Sequence, residues 1–285
     1  MKVFFSQIAP ILLYGSEVWG PYIDQNFIEW DKNKIERVHT QYLKRILGCN
    51  YNTSNNMTRG ELGTRPLLIE IIKRVINYRK NLESRPSSTA SIALDFENNN
   101  DISPNFSTFT NKFNLNFDQF ANLKKFEIAK LCCEHYDRYW LTEINNSPKA
   151  ISYATFKTSV NPEKYLSCLK NTKQRISLSR FRLSNHELMI EKGRHMKPRL
   201  ERNERKCLQC QDQIENEIHF ITKCPLYMNE RAELYQTCRE NSIHFDSIPS
   251  DDQRFTFILT NENPIVLQSL ARFVIFSFRK RKTVR

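Results

Sequence analysis

An all-α fold is what this sequence predicts, and three observations carry that expectation. Only 6 glycines occur among 285 residues, in long stretches of mixed polar and apolar character, a composition that suits helices better than sheets. Two long segments, Phe27 to Leu47 and Phe117 to Ile144, repeat apolar residues at helical spacing. Prolines at 66, 148, 162, 225 and 264 each precede such a segment, as expected of a residue that fits the first turn of a helix.

Taken in order, Ser6 to Trp19 reads as a buried helix and Phe27 to Leu47 as a longer amphipathic one that Gly48 ends. In the second, Ile35, Val38, Tyr42, Ile46 and Leu47 form the expected apolar face, with Lys34, Arg37, Lys44 and Arg45 around the other side. A turn at Asn50 to Ser54, a short helix to Gly63, and a helix from Pro66 to about Glu83 complete a helical unit over 1–84. Residues 85–116 read as a linker rich in Asn, Ser and Thr, in which Ile92, Leu94 and Phe96 could dock as a short helix. The segment 117–285 then forms a helical C-terminal domain. Its first helix, Phe117 to Ile144, directs Phe120, Leu123, Ile128, Leu131 and Trp140 to the core. Further helices are expected over Pro148–Thr158, Pro162–Lys170, Thr172–Leu183, Pro225–Glu240, Asp251–Leu259 and Pro264–Arg279.

Within that domain, a knuckle at about 204–228 sets Cys207, Cys210, His219 and Cys224 in a Cys-x2-Cys-x8-His-x4-Cys array. Three thiolates and an imidazole are a soft ligand set suited to tetrahedral Zn2+. Four protein ligands leave no open position, so the expected zinc is structural rather than catalytic. Ile218 and Phe220 flank His219 as packing residues, and Pro225 opens a helix directly after Cys224. Ordinary core cysteines or a disulfide fit this spacing less well. His186 and His195 precede the array and are better read as capping, packing or solvent residues than as further ligands. The other cysteines, Cys49, Cys132, Cys133, Cys168 and Cys238, show no disulfide framework, which points to a reducing compartment, nucleus or cytoplasm. Cys132 and Cys133 are adjacent on one helix and so read as packing residues.

Lys plus Arg number 43 against 31 Asp plus Glu, a formal net charge of +12 that favours a polyanionic partner. The imbalance is concentrated: between Asn171 and Cys210 eleven basic residues face four glutamates, and Arg279 to Lys282 form a basic tail. Arg194, Lys197, Arg199, Arg202, Arg205 and Lys206 run directly into the array and are the candidate phosphate contacts to RNA or DNA. Phe181, His195 and Tyr227 are open to two readings, stacking surfaces for bases or core residues. No segment is long and apolar enough to span a bilayer, and Ser6, Gln7 and Pro10 interrupt the first apolar run, so neither a membrane anchor nor a signal peptide is expected.

Several stretches, in order, carry a resemblance. Ile11-Leu-Leu-Tyr-Gly-Ser-Glu-Val-Trp-Gly20, Ile35-Glu-Arg-Val-His-Thr-Gln-Tyr-Leu-Lys-Arg-Ile-Leu-Gly48 and Arg59-Gly-Glu-Leu-Gly-Thr-Arg-Pro-Leu67 resemble the region just after the polymerase core of non-LTR retrotransposon reverse transcriptases. Phe181-Arg-Leu-Ser-Asn-His-Glu-Leu-Met-Ile-Glu-Lys-Gly-Arg-His195 and the Cys/His array resemble the C-terminal segment of the same elements. The resemblance implies that 1–84 is a thumb-like unit and that the rest is the C-terminal region with its zinc knuckle. In that family these parts grip template and target during reverse transcription.

The family's aromatic-x-Asp-Asp catalytic turn has no counterpart here. Asp251-Asp252 is the sole Asp-Asp pair and reads as a helix start, where acidic side chains suit the dipole. The expectation is therefore a catalytically inactive C-terminal fragment that binds nucleic acid through a basic, zinc-stabilised domain, not an enzyme, with a polymerase core supplied in trans as a possible partner. The other reading is a zinc-stabilised helical module for protein–protein interaction, its basic surface incidental.

Overall fold

The computed structural model describes residues 2–99, 106–111, 113 and 123–283. Among the described residues the regular structure is helical, and the strand-like pairing is one isolated antiparallel bridge between Lys206 and Ile214, so the fold class is the all-α one expected. Two compact units divide the chain: Met1–Thr40 with Arg65–Tyr139, and Gln41–Thr64 with Trp140–Arg285.

In the first unit the central element is Leu67–Glu83, whose Leu67, Leu68, Ile69, Ile71, Ile72, Val75 and Ile76 are all buried. Burying each such side chain contributes about 1.5–3 kcal/mol relative to exposure. The turn Gly20–Tyr22 crosses it so closely that a Cβ at Gly20 would lie 2.5 Å from Val75 and 2.8 Å from Ile71. The expected continuous helix from Ser6 to Trp19 is instead three short pieces, Phe4–Ile8, Ala9–Leu12 and Ser16–Trp19. Gly15, at φ 66°, turns the chain before the third, and Trp19 Nε1 donates to Tyr14 O at 2.8 Å across the break.

Helix Lys34–Leu47 buries a face different from the one its hydropathy suggests. Glu36, His39, Thr40, Leu43, Lys44 and Leu47 are buried, while Val38 and Ile46 are exposed. The reason is a buried polar centre: the Glu36 carboxylate accepts from Trp30 Nε1 and Leu67 N, both at 2.8 Å, and faces His39 Nδ1 at 3.1 Å. These hydrogen bonds offset the cost of burying the carboxylate, and they aim the helix. Residues 85–116, expected as a linker, include helices Thr89–Asn99 and Phe106–Asn111, and Phe109 and Phe113 are core residues. Ile92 and Phe96 are exposed; Thr89–Asn99 is fastened through Ser91, whose hydroxyl donates to Leu82 O at 2.9 Å. The helix expected from Phe117 to Ile144 runs over Lys125–Asn146, with 117–122 outside the described residues; Ile128 and Trp140 are fully buried on it and Leu131 half-buried, Leu123 is half-buried ahead of its start, and Phe120 is among those not described.

The second unit takes in residues 41–64, which sequence reading assigned to the 1–84 unit. Their packing explains it. Trp140 Nε1 and Tyr153 Oη donate to the carbonyls of Asn56 and Met57 at 2.8 and 3.2 Å, and Glu61 is an ion partner of Arg182 at 2.5 Å. Gly60 lies beneath Trp140, where a Cβ would come within 2.5 Å of the ring. Helix Pro264–Thr283 is the long axis of this unit and packs on Met228–Asn241, Tyr165–Cys168 and Thr172–Arg182. Asn171 caps the last of these, and Ser250 caps Asp251–Thr260, which places Asp251 and Asp252 in a first helical turn as expected.

Candidate metal centre

The knuckle is built by backbone pairing before any side chain is considered. Cys207 N donates to Gln213 O at 2.8 Å, Glu215 N to Arg205 O at 2.9 Å, and Gln211 N to Cys207 O at 2.9 Å, with Gln211 at φ 55° turning the chain. This tight hairpin brings Cys207 and Cys210 to one end. Asn216 then caps helix Glu217–Thr222, its Oδ1 accepting from His219 N at 2.8 Å, and so places His219 in the first turn. Cys224 N donates to His219 O at 2.9 Å, and Arg231 grips the following bend by donating to Ile221 O and Cys224 O. Pro225–Tyr227 leads directly into helix Met228–Asn241, the helix start that Pro225 signals in the sequence.

These elements bring three of the four side chains into one cluster, and Cys224 stands outside it, beside Cys207 alone. The ligand atoms of Cys207, Cys210 and His219 lie within 4.8 Å of one another. Cys224 Sγ is 3.8 Å from Cys207 Sγ, and Cys210 Sγ is 3.5 Å from His219 Nε2. His219 Nδ1 faces Gln213 Oε1 at 3.4 Å, which leaves Nε2 as the nitrogen turned toward the sulfurs. Cys207, Cys224 and His219 are buried, and Cys210 is half-buried. The Cys207 thiol is pushed up to about 11, first by its hydrogen bond to Cys224 and then by burial, and that same bond lowers Cys224. Outside the array, burial likewise pushes Cys49, Cys132 and Cys238 up to about 12, as suits packing residues.

Two buried carboxylates fasten the knuckle, and neither stands out in the sequence. Glu215 lies 3.8 Å from Cys207 Sγ, accepts from Met189 N at 2.8 Å, and forms a two-pronged pair with buried Arg281, one arm at 2.8 Å. Glu217 accepts from Ser152 and Ser184 and faces His186 Nε2 at 3.0 Å. Burial raises its carboxyl, but the hydrogen bond and charge of His186 together with Ser152 outweigh that and hold it at about 2. His186 is thus a packing and hydrogen-bonding residue, stacked on Phe278 at 6.0 Å.

The candidate phosphate contacts separate by burial. Lys197, Arg199 and Lys206 are exposed, Arg194 and Arg202 are half-buried, and Arg205 is buried. Arg205 donates to Leu200 O and Ile190 O, so it holds the segment closed and is not available to a phosphate. Arg194 is tied to Glu191 at 2.9 Å and to Pro148 O at 2.8 Å. In the basic tail, Arg281 is consumed by Glu215 and Lys280 pairs with Glu230 at 3.0 Å. Phe181 and Tyr227 are core residues, which removes them as stacking surfaces, whereas His195 is exposed.

No helix among the described residues is long and apolar enough to cross a membrane. No family model matches the chain, and no curated protein and no solved structure matches it either.

Proposed function

We propose that this chain is a zinc-stabilised helical protein that binds nucleic acid through phosphate contacts and has no catalytic activity of its own. It corresponds, on this reading, to the thumb and zinc-knuckle region of a non-LTR retrotransposon reverse transcriptase, with RNA or DNA as partner, a polymerase core in trans as a second one, and a nuclear or cytoplasmic setting. The observation that carries binding is the fate of the basic segment before the knuckle. Arg205 and Arg194 anchor it from within, and Lys197, Arg199 and Lys206 are left exposed, with no carboxylate paired to any of them among the described residues. The backbone that carries these cations is anchored, so meeting a phosphate orders only their side chains.

Zinc is supported by two edges of the ligand set. Tetrahedral Zn–S bonds of about 2.3 Å and a Zn–N bond of about 2.0–2.1 Å require S···S near about 3.8 Å and S···N near about 3.6 Å. Cys207 to Cys224 is 3.8 Å and Cys210 to His219 is 3.5 Å. The His219–Gln213 contact supplies the outer partner that a metal-bound imidazole ordinarily has.

The test is single-stranded RNA binding across a salt series by the wild type and a Lys197→Ala, Arg199→Ala, Lys206→Ala variant of equal metal content. On a single strand, each cation that no longer neutralises a phosphate makes the log–log salt slope shallower by about 0.7, so the variant is expected to bind more weakly with a slope shallower by about 2. An unchanged slope and affinity would leave the protein–protein module as the better reading.

A further inference from the structure

A second concentration of charge lies in the second unit, in a cleft of about 290 Å³ between helix Thr172–Arg182 and the last turns of helix Pro264–Thr283. No residue from Arg194 to Lys206 lines it. Lys173 and Arg180, two turns apart on the first helix, face Arg279 and Lys282 of the second across this cleft. All four are exposed, and no carboxylate is paired with any of them among the described residues. Arg180 Nε donates to Gly48 O at 2.6 Å, and the Arg279 guanidinium sits 5.7 Å over the Phe276 ring, so both heads are held in place by neutral partners. Glu187 is the acidic residue of the lining; Arg281, also part of it, is neutralised by Glu215.

Helix-end electrostatics accounts for only part of this. Arg180, Arg279 and Lys282 lie near helix C-termini, where a cation complements the dipole. Lys173 is in the first turn of its helix, where the dipole disfavours a cation, so the dipole does not account for its place there. The wall of the cleft is aromatic. Phe278 is half-buried and fixed by stacking on Phe220 at 4.8 Å and on His186 at 6.0 Å. A planar ring beside a set of cations matches a base beside its phosphates. The volume sits at the lower limit of the range of about 300–1,000 Å³ for small-ligand sites, room for one nucleotide and not for a duplex.

We propose that this cleft seats one nucleotide of a single-stranded nucleic acid, its phosphates held by Lys173, Arg180, Arg279 and Lys282 and its base packed against Phe278. The proposal rests on the nucleic-acid-binding reading above and gives that reading a second, base-contacting place. A free nucleoside phosphate offers the same chemistry, so the experiment includes both sources.

Full-length protein is titrated with a short oligouridylate, its abasic counterpart, uridine monophosphate and inorganic phosphate, and a 5-iodouracil version of the oligomer is photocrosslinked and mapped by mass spectrometry. The same measurements follow for a Lys173→Gln, Arg279→Gln, Lys282→Gln variant, which alters exposed side chains only, and for Phe278→Leu, checked for folding by circular dichroism. The expected result is crosslinking to the peptide bearing Phe278, and a loss of about tenfold in affinity in the charge variant. The abasic strand binds less well than oligouridylate to the wild type, and Phe278→Leu removes that difference. Uridine monophosphate displacing the oligomer at matching concentration would assign the cleft to free nucleotide and overturn the strand. If the wild type binds oligouridylate but crosslinks only within Arg194 to Lys206, and the charge variant keeps full affinity, the cleft proposal fails while nucleic-acid binding stands. No binding of the oligomer by the wild type would end both.

Discussion

At the scale of single residues, the second unit depends on one buried guanidinium. Arg182 reaches Glu61 and Glu163, each at 2.5 Å, donates to Leu259 O at 2.7 Å, and lies 4.6 Å from the Phe156 ring centroid. The two carboxylates hold Arg182 above its ordinary value despite burial. Arg182→Met would strand buried Glu61, and the expected cost is about 3–5 kcal/mol in urea unfolding; a loss below about 1 kcal/mol would show that the network is idle. Gly63→Ala is a second case. At φ 64° an added Cβ is strained, and it would also fall 2.4 Å from Pro162, so a loss of more than about 1 kcal/mol is expected in the same assay. The first dependence is not legible in the sequence, because Glu61 and Arg182 are brought together only by the fold; the second is legible in part, since Gly63 ends a short helix there. That Cys207, Cys210 and His219 meet is legible, since spacing along a short hairpin nearly determines which side chains come together; that Cys224 stands beside Cys207 alone is not. Burial among the basic residues is not legible either: nothing in the string Arg205-Lys206 says that the first turns inward to two backbone carbonyls and the second outward.

Elements were readable where local chemistry decides them. Asn171 and Ser250 cap helices whose starts the sequence places, and Pro225 starts its turn; the helix that Asn216 caps is not among those the sequence predicts. They were misread where tertiary polar contacts decide: helix Lys34–Leu47 turns Glu36 and His39 inward because Trp30 and Leu67 N await the carboxylate. Asn216 links this scale to the metal centre, since its cap orients the first turn that carries His219. Asn216→Ala is expected to cost about 1 kcal/mol of stability and to weaken zinc measurably in competition with a chromophoric chelator. Unaltered zinc affinity would show that the ligand is positioned without the cap. Metal removal should act locally as well. Because binding and folding are coupled, chelation is expected to abolish hydrogen-exchange protection in the hairpin and helix Glu217–Thr222 while helix Leu67–Glu83 keeps its own. Equal loss in both would contradict a knuckle confined to the second unit.

For the molecule as a whole, the formal net charge of +12 is distributed unevenly between buried and exposed cations. Arg182, Arg205 and Arg281 are buried in the fold, whereas Lys197, Arg199 and Lys206 are exposed. The purified chain is expected to extend no primer on an RNA template with magnesium, as the sequence lacks an aromatic-x-Asp-Asp turn and Asp251-Asp252 is occupied as a helix start. Synthesis that persists after contaminating polymerases are removed would refute that. The claim on which the rest depends is the metal, because the hairpin it closes carries the basic segment into place. Native mass spectrometry of the full chain, beside a Cys210→Ser variant purified identically, tests it directly. One zinc ion per wild-type chain, and much less in the variant, is the predicted result; a folded wild type without zinc, or equal zinc in both proteins, would contradict it.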